Sequence, residues 1–181
     1  MLRSRDNPPM LAAGFARVAD LPGDWWVGHT KARQEKALAW ELARAGIGYY
    51  LPMVEKVYFS GGRKRRSLIP LFTSYVFFCG GLDERYRALT TDRLCQVLQV
   101  KERASFVREL GHIERALQAG APLEFYPQAA IGHRVRIKSG PFQDVEGIVV
   151  RPGPRTRVVL EVSLLGKGAT LEVELSLLEE L

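Results

Sequence analysis

The chain has 181 residues, 46% of them apolar and 25% charged, the composition of a folded globular protein with room for one large domain or two small ones. Its formal net charge of +6 is uneven: residues 1–126 carry 19 Lys/Arg against 13 Asp/Glu, while residues 127–181 carry 7 of each. A polyanionic partner is therefore expected on the first two thirds, the alternative being a merely solubilising surface. No apolar run reaches the ~18–20 residues of a membrane span, and Met10–Phe15 is too short for a signal core, so no membrane partner and a cytoplasmic location are expected.

Residues 1–23 read as a flexible arm. Trp25–Thr30 is a strand signal of bulky residues, with Thr30 placed to cap the next helix. That helix, Lys31–Ala45, repeats Leu38, Leu42 and Ala45 at helical spacing and stops at Gly46. Tyr49–Met53 reads as an edge strand, because Pro52 cannot donate to a ladder. Val54–Phe59 and Arg66–Pro70 flank a hairpin tip at Ser60-Gly61-Gly62, leaving Arg63-Lys64-Arg65-Arg66 as a basic run at the tip. Leu71–Cys79 is apolar on both faces, as in the middle of a sheet. Alternation puts Tyr75 and Phe77 on one face and Val76 and Phe78 on the other, so a sheet covered on one side would present Tyr75 and Phe77. Asp83–Thr90 reads as a short helix with Tyr86 and Leu89 inward, and Leu94–Val100 as another strand. Ala104–Ala119 carries Phe106, Leu110, Ile113 and Leu117 on one helical face. Helices on a mostly antiparallel sheet make an α+β fold.

The two prolines and absent periodicity of residues 120–130 suggest a linker. From residue 131 the pattern becomes alternating: Val135/Ile137, Ile148/Val150, Val158/Leu160/Val162/Leu164 and Leu171/Val173/Leu175, punctuated by Gly/Pro turns. Several short strands in about 50 residues predict a small β-barrel. Cys79 and Cys95 have no ligand-like spacing and read as packed thiols in a reducing compartment; no metal and no cofactor are expected. Phosphate-binding, zinc-protease and nucleophile-elbow motifs are missing, which argues against an enzyme. His112 has no evident partner, and Glu172 and Glu174 read as solvated.

These residues resemble a known family. Trp25-Trp26-Val27, Glu35-Lys36, Pro52 and Pro70-Leu71-Phe72-Thr73-Ser74-Tyr75-Val76-Phe77 are similar to the N-terminal (NGN) domain of NusG-type transcription elongation factors. Ile131–Ile137, Ser139–Phe142, Val145–Val149, Leu164–Lys167 and Leu171–Leu175 resemble a KOW domain. The resemblance implies an NGN-like domain at 24–119, a linker at 120–130 and a KOW β-barrel at 131–181. Thr73-Ser74 departs from the family's Pro-Gly, which tilts the reading toward a specialised, RfaH-like antiterminator. The alternation and Gly/Pro content of the second module argue for a permanent barrel.

The resemblance also implies partners and the residues that would meet them. His29, Tyr75 and Phe77, with Trp26 or Tyr50 nearby, would line a patch that grips the clamp helices of the largest subunit of bacterial RNA polymerase; the alternative is that these aromatics are core. Lys31, Arg44 and Arg93 would face the non-template DNA strand, with Arg33, Lys36 and Arg63, Lys64, Arg65 and Arg66 adding to the field, the alternative for the run being a solvated tip. Phe142 would help the KOW domain bind a ribosomal small-subunit protein or Rho, unless it tucks over the barrel end. The expected function is suppression of pausing and termination by a monomer. The rivals are a general RNA-binding or ribosome-associated KOW protein and a housekeeping NusG-type factor acting with Rho.

Overall fold

A computed structural model describes residues 7–181. The first six residues of the expected arm, with Arg3 and Arg5, lie outside the described residues. The chain divides into two compact units, Met1–Arg103 and Ala104–Leu181.

The first unit is built on a four-stranded antiparallel sheet in the order β2-β5-β1-β6, from β1 (Trp25–Thr30), β2 (Tyr49–Tyr50), β5 (Tyr75–Cys79) and β6 (Leu94–Gln99). The expected central strand is central: β5 lies between β2 and β1, with Phe77 opposite both Tyr50 and Val27. Both of its faces are covered. Val27 and Phe77 on one side, and Tyr49, Val76 and Phe78 on the other, are completely buried. The expectation that Tyr75 and Phe77 share an open face is therefore corrected. Phe77 packs edge-on against Phe72, ring centroids 5.8 Å apart, and only Tyr75 at the strand's start reaches solvent.

Helix α1 (Glu35–Arg44) buries Leu38, Ala39 and Leu42. Thr30 does not cap it, since the helix begins after an intervening turn and its N-cap is Gln34. Helix α2 (Leu82–Leu89) reverses a second expectation. Ala88 is its buried residue, and Tyr86 is 68% exposed, because the helix lies on its small-residue side. A two-stranded sheet of its own is formed by β3 (Met53–Ser60) and β4 (Arg63–Pro70), paired over eight residues. Gly61 and Gly62 both have positive φ, 58° and 72°, the two-residue turn whose twist suits a hairpin. The basic run thus belongs to a strand and not to a tip loop.

The arm is not loose from residue 7 onward. Leu11 bridges Tyr50, the Ala12 amide donates to the Tyr49 carbonyl, and the Leu51 amide donates to the Met10 carbonyl. Val18 and Leu21 are fully buried. Burying these side chains, at roughly 1.5–3 kcal/mol each, together with the backbone hydrogen bonds to Tyr49 and Leu51, offsets part of the entropy of a free tail. The arm also satisfies the open edge of β2.

The second unit contains α3, which runs Arg103–Gln118, and a six-stranded antiparallel sheet in the order β12-β8-β9-β10-β11-β7. Its strands are β7 (Glu124–Tyr126), β8 (His133–Ile137), β9 (Glu146–Arg151), β10 (Arg155–Val162), β11 (Lys167–Glu174) and β12 (Leu178–Glu180). Most of the alternation read from sequence is the inward face: Val135, Ile137, Ile148, Val158, Leu160, Val162, Leu171 and Val173 are buried, whereas Val150 is half-buried and Leu164 and Leu175, in the 3-10 turns that follow β10 and β11, are exposed. Gly147 is required here, since a Cβ would press on the Val158 side chain and lie 2.7 Å from the Val159 carbonyl oxygen. The expected linker is partly structured, because Glu124–Tyr126 pairs with Thr170, Ala169 and Gly168 and so extends the sheet.

Candidate functional site

Five aromatic or imidazole side chains are expected from sequence to form one patch, and the fold separates them by depth. Trp26, Tyr50 and Phe77 are 3%, 2% and 0% exposed. Trp26 is held by its indole N–H donating to the Gly80 carbonyl at 3.0 Å, with the Arg85 guanidinium 5.4 Å from the ring centroid. These three hold the sheet together and have almost no surface to offer. His29 and Tyr75 remain half-buried. They sit directly opposite one another on β1 and β5, rings stacked at 5.1 Å with an interplanar angle of 27°. The antiparallel register makes this pair, since it brings the end of β1 against the start of β5.

The turn before Tyr75 is shaped by an interaction that sequence reasoning missed. Ser74 has φ 67°, a left-handed conformation in which glycine is at ease. Its amide donates to Glu35 Oε1 at 2.6 Å, and Glu35 is buried. A carboxylate on an amide is a strong, charge-assisted bond, so α1 fixes the loop that presents Tyr75. Thr73-Ser74 therefore keeps a backbone turn that a glycine would supply. In sequence Glu35 stands out only as a family mark; an acid at a helix start, free to reach a neighbouring turn, is the available signal.

The expected nucleic-acid residues fall into two groups. Those around α1 are tied down. Lys31 pairs with Asp92 at 2.7 Å, and Arg93 bonds Gln34 at 2.5 Å and Glu41 at 3.2 Å. Arg44 lies 3.9 Å from the same Glu41. Lys36 donates to Asn7 and to the Leu68 carbonyl, and burial lowers its pKa. Arg33 is exposed in the turn before α1 with φ 61°. The second group lies along β4. Arg66 pairs with Glu55 at 3.3 Å, whereas Arg63, Lys64 and Arg65 are exposed and have no acidic partner among the described residues.

In the second unit, Phe142 is half-buried in the turn joining β8 to β9, where its carbonyl accepts from the Val145 amide. Helix α3 meets the barrel through polar contacts. Glu109 accepts from the Ser163 amide at 3.0 Å and hydroxyl at 2.6 Å, and Arg115 donates to the Gln143 carbonyl at 3.0 Å. His112 does have partners: its Nδ1 accepts from the Glu146 amide at 3.4 Å, and its Nε2 is 4.0 Å from the Glu146 carboxylate. Glu146 also receives Arg136 at 2.9 Å. Burial pushes the His112 imidazole below its ordinary value, against the pull of Glu146. Desolvation outweighs the attraction to Glu146, and the nearby Arg108, Arg115 and Arg136 push in the same direction. Glu172 pairs with Arg157 at 3.2 Å.

The cysteines differ from each other. Cys79 is buried, which pushes its thiol up to about 11, while Cys95 is exposed, contrary to the expectation of two packed thiols. Among the described residues no cluster of three metal-ligating side chains occurs, and no helix is long and apolar enough to cross a membrane.

A family model described as transcription termination factor nusG matches residues 23–119. That segment holds every residue that the resemblance assigns to polymerase or nucleic acid, and it includes α3. No curated protein matches the chain. A solved structure on domain interaction in Thermotoga maritima NusG shares 20% identity, covering 87% of this chain and 97% of that one, with a TM-score of 0.45. An MjSpt4:Spt5 complex, conformation B, shares 15% identity over 87% and 96% of the two chains, with a TM-score of 0.28.

Proposed function

The chain belongs to the NusG family, and from that premise we propose that it is a transcription elongation factor whose first unit docks on the clamp helices of bacterial RNA polymerase through His29 and Tyr75. The observation that carries this reading is the stacked, half-exposed His29–Tyr75 pair on the strand ends of a family-matched sheet. Two flat rings held by a rigid sheet lose little conformational freedom on binding, which is the usual character of an interface anchor. Tyr50 and Phe77, buried on the same face of the sheet, and Trp26 on the other face fix the strands that carry the pair. Docking that favours the elongating state by ~1.4 kcal/mol shifts the ratio of elongating to paused complexes tenfold. No bond chemistry is required.

The cations of the first unit add a nucleic-acid contact to the docked complex. Lys31, Arg44 and Arg93 are held by Asp92 and Glu41, so their part is to shape the field, and direct phosphate contact falls to β4. The barrel, with Phe142 in its β8–β9 turn, recruits a second protein, a ribosomal small-subunit protein or Rho.

The test is binding of the full chain to purified RNA polymerase. Tyr75→Ala and His29→Ala should each weaken binding about tenfold while costing less than about 1 kcal/mol of stability. Unchanged affinity in the double variant would remove the docking reading. A second reading, in which the factor promotes termination, is favoured by the description of the matched family itself. Readthrough at a Rho-dependent terminator separates the two signs. Dependence of binding on the non-template sequence tests the specialised, operon-specific branch.

A further inference from the structure

The ribbon β3–β4 stands as a sheet of two strands, and residues 55–66 are exposed apart from half-buried Tyr58. Cross-strand pairs share a face, so the register sorts its charges. Phe59 sits with Lys64 and Val57 with Arg66 on one face; Tyr58 with Arg65 and Ser60 with Arg63 lie on the other, beside Lys56. Glu55 pairs with Arg66 on the first face, so Lys64 is the cation left free there among the described residues, and Lys56, Arg63 and Arg65 lie on the other; both faces still carry unpaired positive charge. Phe59 is 76% exposed next to Lys64.

This arrangement distinguishes between nucleic-acid forms. A single strand has one phosphate rail and lies along one face of a ribbon, leaving cations on the opposite face without a role. A duplex groove has a rail on each side. Two strands about 4.8 Å apart, with their side chains, match a B-form major groove about 12 Å wide and are too broad for the ~6 Å minor groove. The exposed part of the ribbon, six residues along β3, gives roughly 20 Å of reach, enough to enter the groove across several base pairs. The A-form major groove of duplex RNA is too deep and narrow for such an entry.

We propose that β3–β4 is a duplex-DNA arm that enters the major groove with cations on both phosphate rails. This rests on the nucleic-acid reading of Arg63–Arg66 and narrows it from a single strand to a B-form duplex. The strand pairing gives the arm its use: it holds the Cα positions of the cations at fixed spacing, so only side-chain freedom is lost when phosphates bind.

The experiment uses the full chain and three fluorescently labelled probes of about 20 nucleotides or base pairs: a mixed-sequence DNA duplex, one of its single strands, and the corresponding RNA duplex. Anisotropy titrations across a salt series should show the DNA duplex bound at least tenfold more tightly than either other probe. Arg65→Ala on one face and Lys64→Ala on the other should each weaken duplex binding and lower the log–log salt slope by about 1, the signature of one lost phosphate contact. Both positions are exposed, and circular dichroism checks that the fold is kept. Equal or tighter binding of the single strand or of the RNA duplex overturns the proposal, as does a loss confined to variants on one face. If ribbon variants still weaken single-strand binding, the broader nucleic-acid reading survives. If no probe binds, both readings fall, and the polymerase titration with Tyr75→Ala reports on docking independently.

Discussion

Phe77→Ala separates the two roles that sequence alternation assigns jointly to the aromatics of β5. The ring is fully buried in an interior strand, edge-on to Phe72 and opposite Val27 and Tyr50. Removing it forfeits ~2–3 kcal/mol of transfer free energy. The cavity adds about 24 cal/mol for each Å³, so roughly 80 Å³ left after partial relaxation costs about 2 kcal/mol more. The expected loss of about 4–5 kcal/mol is a large fraction of the stability of any domain this size. Urea unfolding followed by Trp fluorescence should show a markedly lower midpoint at an unchanged m-value. Tyr75→Ala, two residues earlier and half-exposed, should cost less than about 1 kcal/mol and act on polymerase binding instead. A Phe77→Ala protein with a wild-type midpoint and weakened polymerase binding would refute the assignment of Phe77 to the core and return it to the docking patch.

Glu35→Ala should destabilise the first unit by about 1–3 kcal/mol by orphaning the Ser74 amide, and should also weaken polymerase binding because the loop before Tyr75 loses its anchor; unfolding and binding titrations read the two effects. Ser74→Gly should raise stability by up to about 1 kcal/mol in the same unfolding assay, since relief of left-handed strain exceeds the added chain entropy. Leu21→Ala, in the arm, should cost about 2–5 kcal/mol, whereas a free tail would tolerate it without change in thermal unfolding. For His112, burial lowers the folded-state pKa below the ordinary 6.5, so the unfolded chain binds the extra proton first. Stability is therefore full above 6.5 and falls as pH drops from there toward the folded value. Unfolding at pH 7.5 and 5.5 should show this loss, and His112→Gln should abolish it.

The core is legible in the sequence because period carries it. Leu38 and Leu42, Phe106 with Leu110 and Ile113, and the alternating barrel residues Val135/Ile137 and Val158/Leu160 recur at spacings set by backbone geometry, and each is buried. The strand Trp25–Thr30 is legible to its last residue through its run of bulky side chains. Tyr86 and Leu89 mislead because a short helix has too few turns for its period to choose a side; the small Ala88 allows the close approach instead. The basic run suggests a tip because charge suggests solvent, yet an exposed two-stranded ribbon accommodates charge along its whole length.

Local chemistry and spacing thus decided which segments become strands and helices, where the turn glycines go, and which motifs tie the chain to its family. These depend on residues near one another in the chain, whose preferences act without knowledge of the rest. Depth and partnership were decided only by the tertiary fold. Phe77 and Tyr75 share one face by alternation, and only the strands and helix packed around β5 bury the first and leave the second stacked on His29. The same holds for Glu35 on Ser74, Arg93 on Glu41 and His112 on Glu146, contacts between residues 34 to 52 positions apart that no local pattern encodes.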